Sequence, residues 1–454
     1  MTGLNAYYGD IHNHCGISYG HGPLADALAN ARMQLDFASV TGHALWPDMP
    51  RGKPGMERRV AYHDAGFKKL AANWEAVVDE LDAANCENEF VSFLSYEMHS
   101  CADGDHTVLY RDGRGEVLQT ETLADLHAAL ARLRAEGVAC MAVPHHIGYP
   151  TGFRGVNWDT FDGAFSPVVE MMSMHGCAEG DHVPVPYLHS MGPCDHDSTV
   201  GAGLARGQVF GLVGSTDHHS AHPGSHGRGR LAALAPTLTR EAIWDAIQAR
   251  RTIALTGDRI DLRLFVNDGF LGDVLDQPAE KRRVEVSVAA GGAIERVEVL
   301  KNERVLHRRL ADGRVAAPAG VVRAKVGLEV GWGSRGKLVD WDVRLGIGEG
   351  QVTAVLPRFK GPDIVAPDAG EIGYYHYSNW ERDGERGVRI TTRTAGSPST
   401  TTNGNQGFAL DVEMPVTAHI VLEVNGHTAR RSLGELLAGA RGGYVDGYGT
   451  PAWR

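Results

Sequence analysis

The sequence predicts an α/β domain over residues 1–260 followed by a β-rich, sandwich-like domain over 261–454. Two observations set the division. Up to about residue 260, strand-like hydrophobic runs alternate with helical patterns, the order that builds a parallel sheet or barrel. Beyond it, helical patterns become scarce and short alternating segments between turn residues take over, as in antiparallel sandwiches. A third observation marks where the chemistry lies: histidines and acidic residues stand repeatedly where a hydrophobic run of the first part ends. Ligands at strand ends converge on one mouth of a barrel.

The elements follow in order. The run 7–11 closes on His12 and His14, and 24–33 is an Ala-rich helix. The run 37–41 precedes His43, and 90–96 closes on Glu97, with His106 opening the next run. Residues 121–136 place Leu123, Leu126, Leu130 and Leu133 at helical spacing, and Gly137 ends that helix. The run 138–143 leads to His145 and His146, and 209–213 leads to Asp217 and His219. Thr239 caps a helix over 240–251 with Ile243, Trp244 and Ile247 on one face. Between them, 145–208 is rich in Pro, Gly and His, the composition of a long specificity loop. His175, His182, His189 and His196 lie in it and, as a group, line the expected pocket.

In the second part, strands are expected at 262–266, 283–288, 296–300, 384–394 and 416–424. Asn267-Asp268-Gly269, Gly291-Gly292 and Lys301-Asn302 supply turns between the first of these. Residues 397–407 form a polar low-complexity loop, and 433–440 is a helix candidate. Trp332, Trp341 and Trp380 are read as core.

Bulk properties narrow the function classes. A net charge of −12 argues against a basic nucleic-acid surface. It leaves an anionic small-molecule substrate open, because a metal cluster carries its own positive charge. Six cysteines without a CxxC pair read as reduced thiols in a cytoplasmic protein. No signal-peptide pattern is visible, and no apolar stretch approaches the ~18 residues that span a bilayer. No membrane partner is expected, and a homo-oligomer is compatible.

His12-Asn13-His14 places two imidazoles two residues apart, on one side of a strand, where both reach one ion. Imidazole and carboxylate together suit Mn, Fe or Zn. Glu170, which ends Val168-Val169, reads as a buried hydrogen-bonded carboxylate in preference to a ligand, and Cys15, beside His14, as a small buried thiol in preference to a thiolate ligand. Gly16-Ile17-Ser18-Tyr19-Gly20 also matches G-x-S-x-G between a strand and a helix, which keeps a serine-hydrolase reading in view.

As an ordered set, these segments resemble the PHP (polymerase and histidinol phosphatase) superfamily over roughly residues 7–260. The resemblance rests on Tyr8 to His14, Asp36 to His43, Glu97 with His106, Val143 to His146, and Gly214 to His219 followed by His222-Pro223-Gly224. Residues 238–257 further resemble a bacterial branch that appends a β-rich tail and whose function is largely unassigned. The resemblance implies a distorted (β/α)7 barrel with two or three divalent ions. His12, His14, Glu97 and Asp217 would hold one ion. Glu97 would bridge to a second, held by His106 and one of His145 or His146, and His43 and His219 would take a third. Two departures stand out: Tyr19 occupies the place of a customary Asp ligand, for which His21 is a substitute, and Gly42 stands where Asp is usual.

The activity implied is hydrolysis of a small phosphorylated molecule by metal-activated hydroxide, with Asp217, His219 and Arg228 in catalytic roles. His146, Arg154, Arg230 and Tyr19 are the substrate-binding candidates. The alternatives are a metal-dependent hydrolase of a lactone, ester or amide, and a degraded, metal-stabilised binding protein.

Overall fold

The computed structural model describes residues 3–180, 183–185, 187, 194–311, 319–331, 338–360, 378–395, 404–444 and 452–453. The chain divides into two units, one over Met1–Gly291 and the other over Gly292–Ile364 with Gly370–Arg454. His182, His189, Trp332 and most of the 397–407 loop lie outside the described residues.

In the first unit the order begins β1 (Asn5–Asp10), α1 (Leu24–Arg32), β2 (Phe37–Ala38), β3 (Gly42–Leu45), α2 (Glu57–Ala84), β4 (Val91–Ser92) and β5 (Leu94–Met98). It continues with β6 (Asp105–Tyr110), α3 (Leu123–Ala135), β7 (Cys140–His145), β8 (Val168–Ser173), β9 (Gly176–Cys177), α4 (Val200–Ala205) and β10 (Gly211–Gly214). Then follow β11 (Arg230–Ala235), α5 (Arg240–Gln248), β12 (Thr252–Leu255), β13 (Ile260–Val266), β14 (Gly269–Phe270) and β15 (Val284–Ala290). The helices follow their apolar stripes. α3 buries Leu123, Leu126, Leu130 and Leu133, and the Thr122 hydroxyl caps it by accepting from the Asp125 backbone N–H. α5 buries Ile243, Trp244 and Ile247 under the Thr239 cap.

The longest helix, α2, has no counterpart among the expected elements. It buries only His63, Gly66, Leu70, Val77, Leu81 and Ala84, a stripe too sparse and too mixed to stand out as periodicity. No described helix is long and apolar enough to cross a membrane.

The fold is mixed α/β with several sheets, and no closed barrel is present among the described residues. The strands lie in separate sheets ordered β12-β11-β1-β2-β4, β3-β5-β6-β7, β10-β8-β9 and β14-β13-β15. β1, β2 and β4 run parallel, as do β3 with β5 and β8 with β10. β11 instead pairs antiparallel with both β1 and β12, and β6 antiparallel with β5 and β7. Only residues 99–104 join β5 to β6. A parallel neighbour needs a crossover of about a dozen residues, so β6 must fold straight back. One apolar core still draws on several sheets, with Ile11, Phe37, Phe93, Leu109, Val143, Val168, Val213 and Leu231 packed together beneath α5.

The change in sequence character at 260 precedes the end of the first unit. The β13–β15 segment stays with it: the Arg250 side chain donates to the Gly272 carbonyl (3.0 Å) and Arg263 to that of Leu4 (3.1 Å).

The second unit contains β16 (Arg296–Lys301), β17 (Arg304–Leu310), β18 (Val321–Gly331), β19 (Leu338–Ile347), β20 (Gln351–Arg358), β21 (Asn379–Arg382) and β22 (Gly387–Ala395). After these come β23 (Asn405–Pro415), β24 (His419–Val424), β25 (His427–Ser432), α6 (Leu433–Leu437), β26 (Gly443–Tyr444) and β27 (Ala452–Trp453). Two five-stranded sheets, β20-β23-β18-β27-β26 and β21-β22-β19-β24-β25, contribute alternate residues to one core around Trp341, Val343, Leu410, Val412 and Leu422. Trp341, read as core, is buried there and donates from its indole to Thr394 Oγ1 at 2.9 Å.

Leu410 sits fully buried in the middle of that core. Leu410→Ala is expected to cost about 2–5 kcal/mol of stability in chemical denaturation, the range for a leucine truncated without room to collapse.

Candidate metal centre

The site starts from backbone pairing between the first and last motifs. The Asp217 N–H donates to the His12 carbonyl (2.8 Å), that of His14 to His218 (2.6 Å), and that of His21 to His219 (2.8 Å). The buried Asp10 carboxylate accepts from the backbone N–H groups of His12, Thr216 and Gly224. Residues 200 positions apart in sequence are thereby held in one frame.

Around that frame, Glu97 and Asp217 stand among imidazoles. Glu97 Oε1 lies 3.0 Å from His145 Nε2 and 2.9 Å from His99 Nδ1. Its Oε2 lies 3.3 Å from His43 Nε2 and 3.4 Å from His14 Nε2. Asp217 Oδ1 lies 3.0 Å from His14 Nε2 and 3.5 Å from His12 Nε2. The Nε2 atoms of His12 and His14 are only 3.2 Å apart. Ligand atoms bound to one ion at roughly 2.0–2.2 Å stand about 3 Å from each other, so these spacings fit coordination. His12, His14 and Glu97 form one group able to hold a metal ion, His14, His43 and His219 a second, and His43, Glu97 and His99 a third.

The tautomers strengthen that fit. His14 Nδ1 lies 2.8 Å from the Thr41 carbonyl, and His219 Nδ1 lies 2.8 Å from the Asp217 carbonyl. A carbonyl only accepts, so both Nδ1 atoms carry a proton and each ring turns its Nε2 inward. His12 Nδ1 faces Glu170 Oε2 at 2.8 Å. Burial opposes charge on His12, but Glu170 and Asp217 outweigh it and raise the ring to about 10. Burial, reinforced by neighbouring imidazoles, holds His43, His145 and His219 well below the ordinary histidine range. Burial opposes ionisation of Glu97 and Asp217, yet the surrounding histidines hold both well below the usual carboxylate range. Two ionised carboxylates and the uncharged imidazoles of His43, His145 and His219 thus crowd together in a buried site, an arrangement that a bound cation would stabilise.

The other expected site residues fall in different places. His106 belongs to none of the ligand groups: it turns its Nδ1 to the Gly104 carbonyl (2.9 Å), and burial lowers it to about 4. The pleat of β6 instead presents Asp105 and Thr107, which meet His146 Nδ1 (3.1 Å) and His145 Nδ1 (3.3 Å). His21 also lies in none of the groups. Arg230, expected at the substrate, is buried and bonded to Gln34 Oε1 (2.7 Å) and the Gly224 carbonyl. Arg228 is half-buried, its backbone N–H donating to the Ser225 carbonyl at 3.2 Å. Arg154 does reach the cluster, bonding Asp105 and, at 2.8 Å, His99 Nδ1.

Tyr19 lines the wall. Its ring stacks on His43 (centroids 3.5 Å apart), and its hydroxyl bridges His99 Nε2 (2.7 Å) and His63 Nδ1 (3.0 Å). Ser18 is fully buried and braces His43 through both its Nδ1 and its backbone N–H (3.0 Å each). An exposed nucleophile on a strand-to-helix elbow is not what these contacts describe. Burial pushes the Cys15 thiol up to about 12, as suits a small buried thiol rather than a thiolate ligand. His99, Asp105 and the pairing of His175 with Asp217 were not expected from sequence; Glu97-x-His99 spacing on a strand was the available signal for the first.

Comparisons with known proteins add little chemistry. A family described as "Protein of unknown function (DUF3604)" matches residues 225–317. An uncharacterized protein of Chlamydia trachomatis is 26% identical over 175 residues, and one of Chlamydia pneumoniae 26% identical over 174. Each match takes in 35% of this chain and 28% of the relative, so the chain spans little more than a quarter of the length of these curated relatives. A crystal structure from Bacteroides vulgatus, of a two-domain protein described as containing a predicted PHP-like metal-dependent phosphoesterase, aligns over 95% of this chain and 96% of its own. Its identity is 10% and its TM-score 0.32, too low to equate the folds.

Among the described residues, the hydrogen bond between Glu170 and the cluster is made with His12 Nδ1. Glu170→Gln is expected to leave the chain folded and to weaken metal affinity about 10–100-fold, the usual effect of losing a carboxylate behind a histidine ligand, as read by competition with a chelator.

Proposed function

We propose that this chain is a metal-dependent hydrolase, with a phosphoester of a small molecule as its first substrate class. One observation carries the reading: inward-facing imidazole Nε2 atoms fixed by backbone carbonyls meet two buried carboxylates at coordination spacing. Imidazole and carboxylate donors suit Mn, Fe or Zn. Bound ions would supply a hydroxide at neutral pH and polarise the oxygen of the bond to be cleaved.

The chain's own residues do the rest. Glu97 and Asp217 offer both carboxylate oxygens to different imidazoles, the disposition a bridging ligand needs. Glu170, Thr41 and Ser18 hold His12, His14 and His43 in orientation. Arg154 brings a guanidinium to the carboxylates, with its side chain 13% exposed, and is the candidate contact for an anionic substrate. The order of the motifs, similar to that of the PHP superfamily, supports a phosphoester.

A second reading, hydrolysis of a lactone, ester or amide, draws on a specific observation. Arg230 is locked onto Gln34 and Gly224, and Arg154 is already paired with Asp105, so the positive charge offered to a phosphate is modest.

Elemental mass spectrometry of the purified chain is expected to find two or three equivalents of transition metal. Chelation should abolish hydrolysis of a phosphomonoester and phosphodiester panel, and Mn, Fe or Zn should restore it. Activity confined to lactones, esters or amides would favour the second reading. Protein that binds no metal under any loading condition overturns both.

A further inference from the structure

We infer that Asp217 is shared between the inner cluster and an outer divalent ion held by His146 and His175, a metal position beyond the ligand set suggested by the motifs. The inference rests on the metal-centre reading and extends it.

The two oxygens of Asp217 face different ways. Oδ1 looks to His14 and His12, while Oδ2 lies 2.9 Å from His146 Nε2 and 2.7 Å from His175 Nε2. The three outer residues are all buried and form a group able to hold an ion. Each outer ring is steadied from behind. His146 Nδ1 meets Asp105 Oδ2 at 3.1 Å, and His175 Nδ1 meets the Tyr149 hydroxyl at 2.8 Å. Groups at the far nitrogen of a ligating histidine fix its tautomer and direction.

The backbone gives an independent sign. His146 and Asp217 both adopt left-handed backbone, at φ 55° and 52°. For a residue other than glycine this conformation is strained and persists where the surroundings demand it. Here the strain falls on two residues whose side chains face each other. His175 completes the set from the turn between β8 and β9. Two imidazoles and a carboxylate oxygen suit a borderline divalent ion and leave positions for solvent or a substrate oxygen.

The competing arrangement is purely structural: His146 and His175 as N–H donors that fasten Asp217 to its place. Metal counting separates the two. The full chain, loaded with Zn or Mn, is analysed by elemental mass spectrometry as wild type, His175→Ala and Tyr149→Phe, with melting curves to confirm folding. One equivalent fewer in His175→Ala, with the remaining ions retained, supports the outer site. So does Tyr149→Phe that fills fully but binds its last ion about 10–100-fold more weakly in chelator competition. A folded His175→Ala with an unchanged metal count overturns the inference while leaving the hydrolase reading intact. If His175→Ala does not fold, Tyr149→Phe decides, and an unaltered affinity for every ion overturns it. Wild type that takes no metal overturns this inference together with the reading it rests on.

Discussion

The Asp10 carboxylate is the constraint on which the site depends. It is buried at the end of β1 and accepts from the backbone of its own loop and from two positions in the loop between β10 and β11. Those bonds, with the His12–Asp217 and His14–His218 backbone pairs, bring the first and last histidine motifs together. β11 then returns antiparallel to β1, which locks the frame from the other side. A hydrogen-bonded buried carboxylate is costly to lose, because removing it strands several amide donors at once. The candidate ligands are carried on that frame, their own contacts to Glu97 and Asp217 being made once it has brought them together.

α2 explains why two positions depart from the motif pattern together. Gly42 admits the Leu70 side chain of α2, and Gly66 of α2 admits the Tyr19 ring; a Cβ at either glycine would meet those side chains. Tyr19 then occupies the wall beside His43 and ties His99 to His63, also on α2. A carboxylate in the position of Tyr19 would have to be accommodated beside Glu97, in a wall already short of donors. The Tyr19 ring thus forms an uncharged wall, and His99 stands in it between the carboxylates of Glu97 and Asp105.

How much of this was legible in sequence depends on how far each feature is set by local pattern. His12, His14, Glu97, His145, Asp217 and His219 lie at or beside strand ends, and hydrophobic runs mark those directly. His106 shows the limit. Sequence places a strand there but not its register, and a slip of one residue exchanges the two faces. Asp105 and Thr107 turned inward and His106 outward. His175 reaches Asp217 only through the fold, 42 positions along the chain. The antiparallel direction of β6 and β11 was likewise beyond reach, because strand direction follows from connection length and side-by-side packing rather than from hydrophobicity. In the second unit the alternation of apolar and polar residues was enough to announce antiparallel strands, though not the long pairing of β18 with β23.

The two units illustrate opposite ways of spending polar groups. In the second, charged side chains stay on the outer faces as cross-strand pairs such as Arg393 with Asp340 and Lys325 with Asp411. Such exposed pairs contribute about 0–1 kcal/mol each, so its stability comes from the apolar interior. In the first, carboxylates and imidazoles are drawn inside, where each bare acceptor opposes folding. A ligand that binds only the folded form offsets that opposition by mass action, about 4 kcal/mol when present at 1,000 times its dissociation constant. Ions at Glu97 and Asp217 would therefore act on two links of the same chain of causes: they would supply the chemistry, and they would stabilise the strand-end loops that hold it. A site of this composition is hard to account for as a purely structural interior, because apolar residues of the same volume would stabilise the fold without asking for a cation.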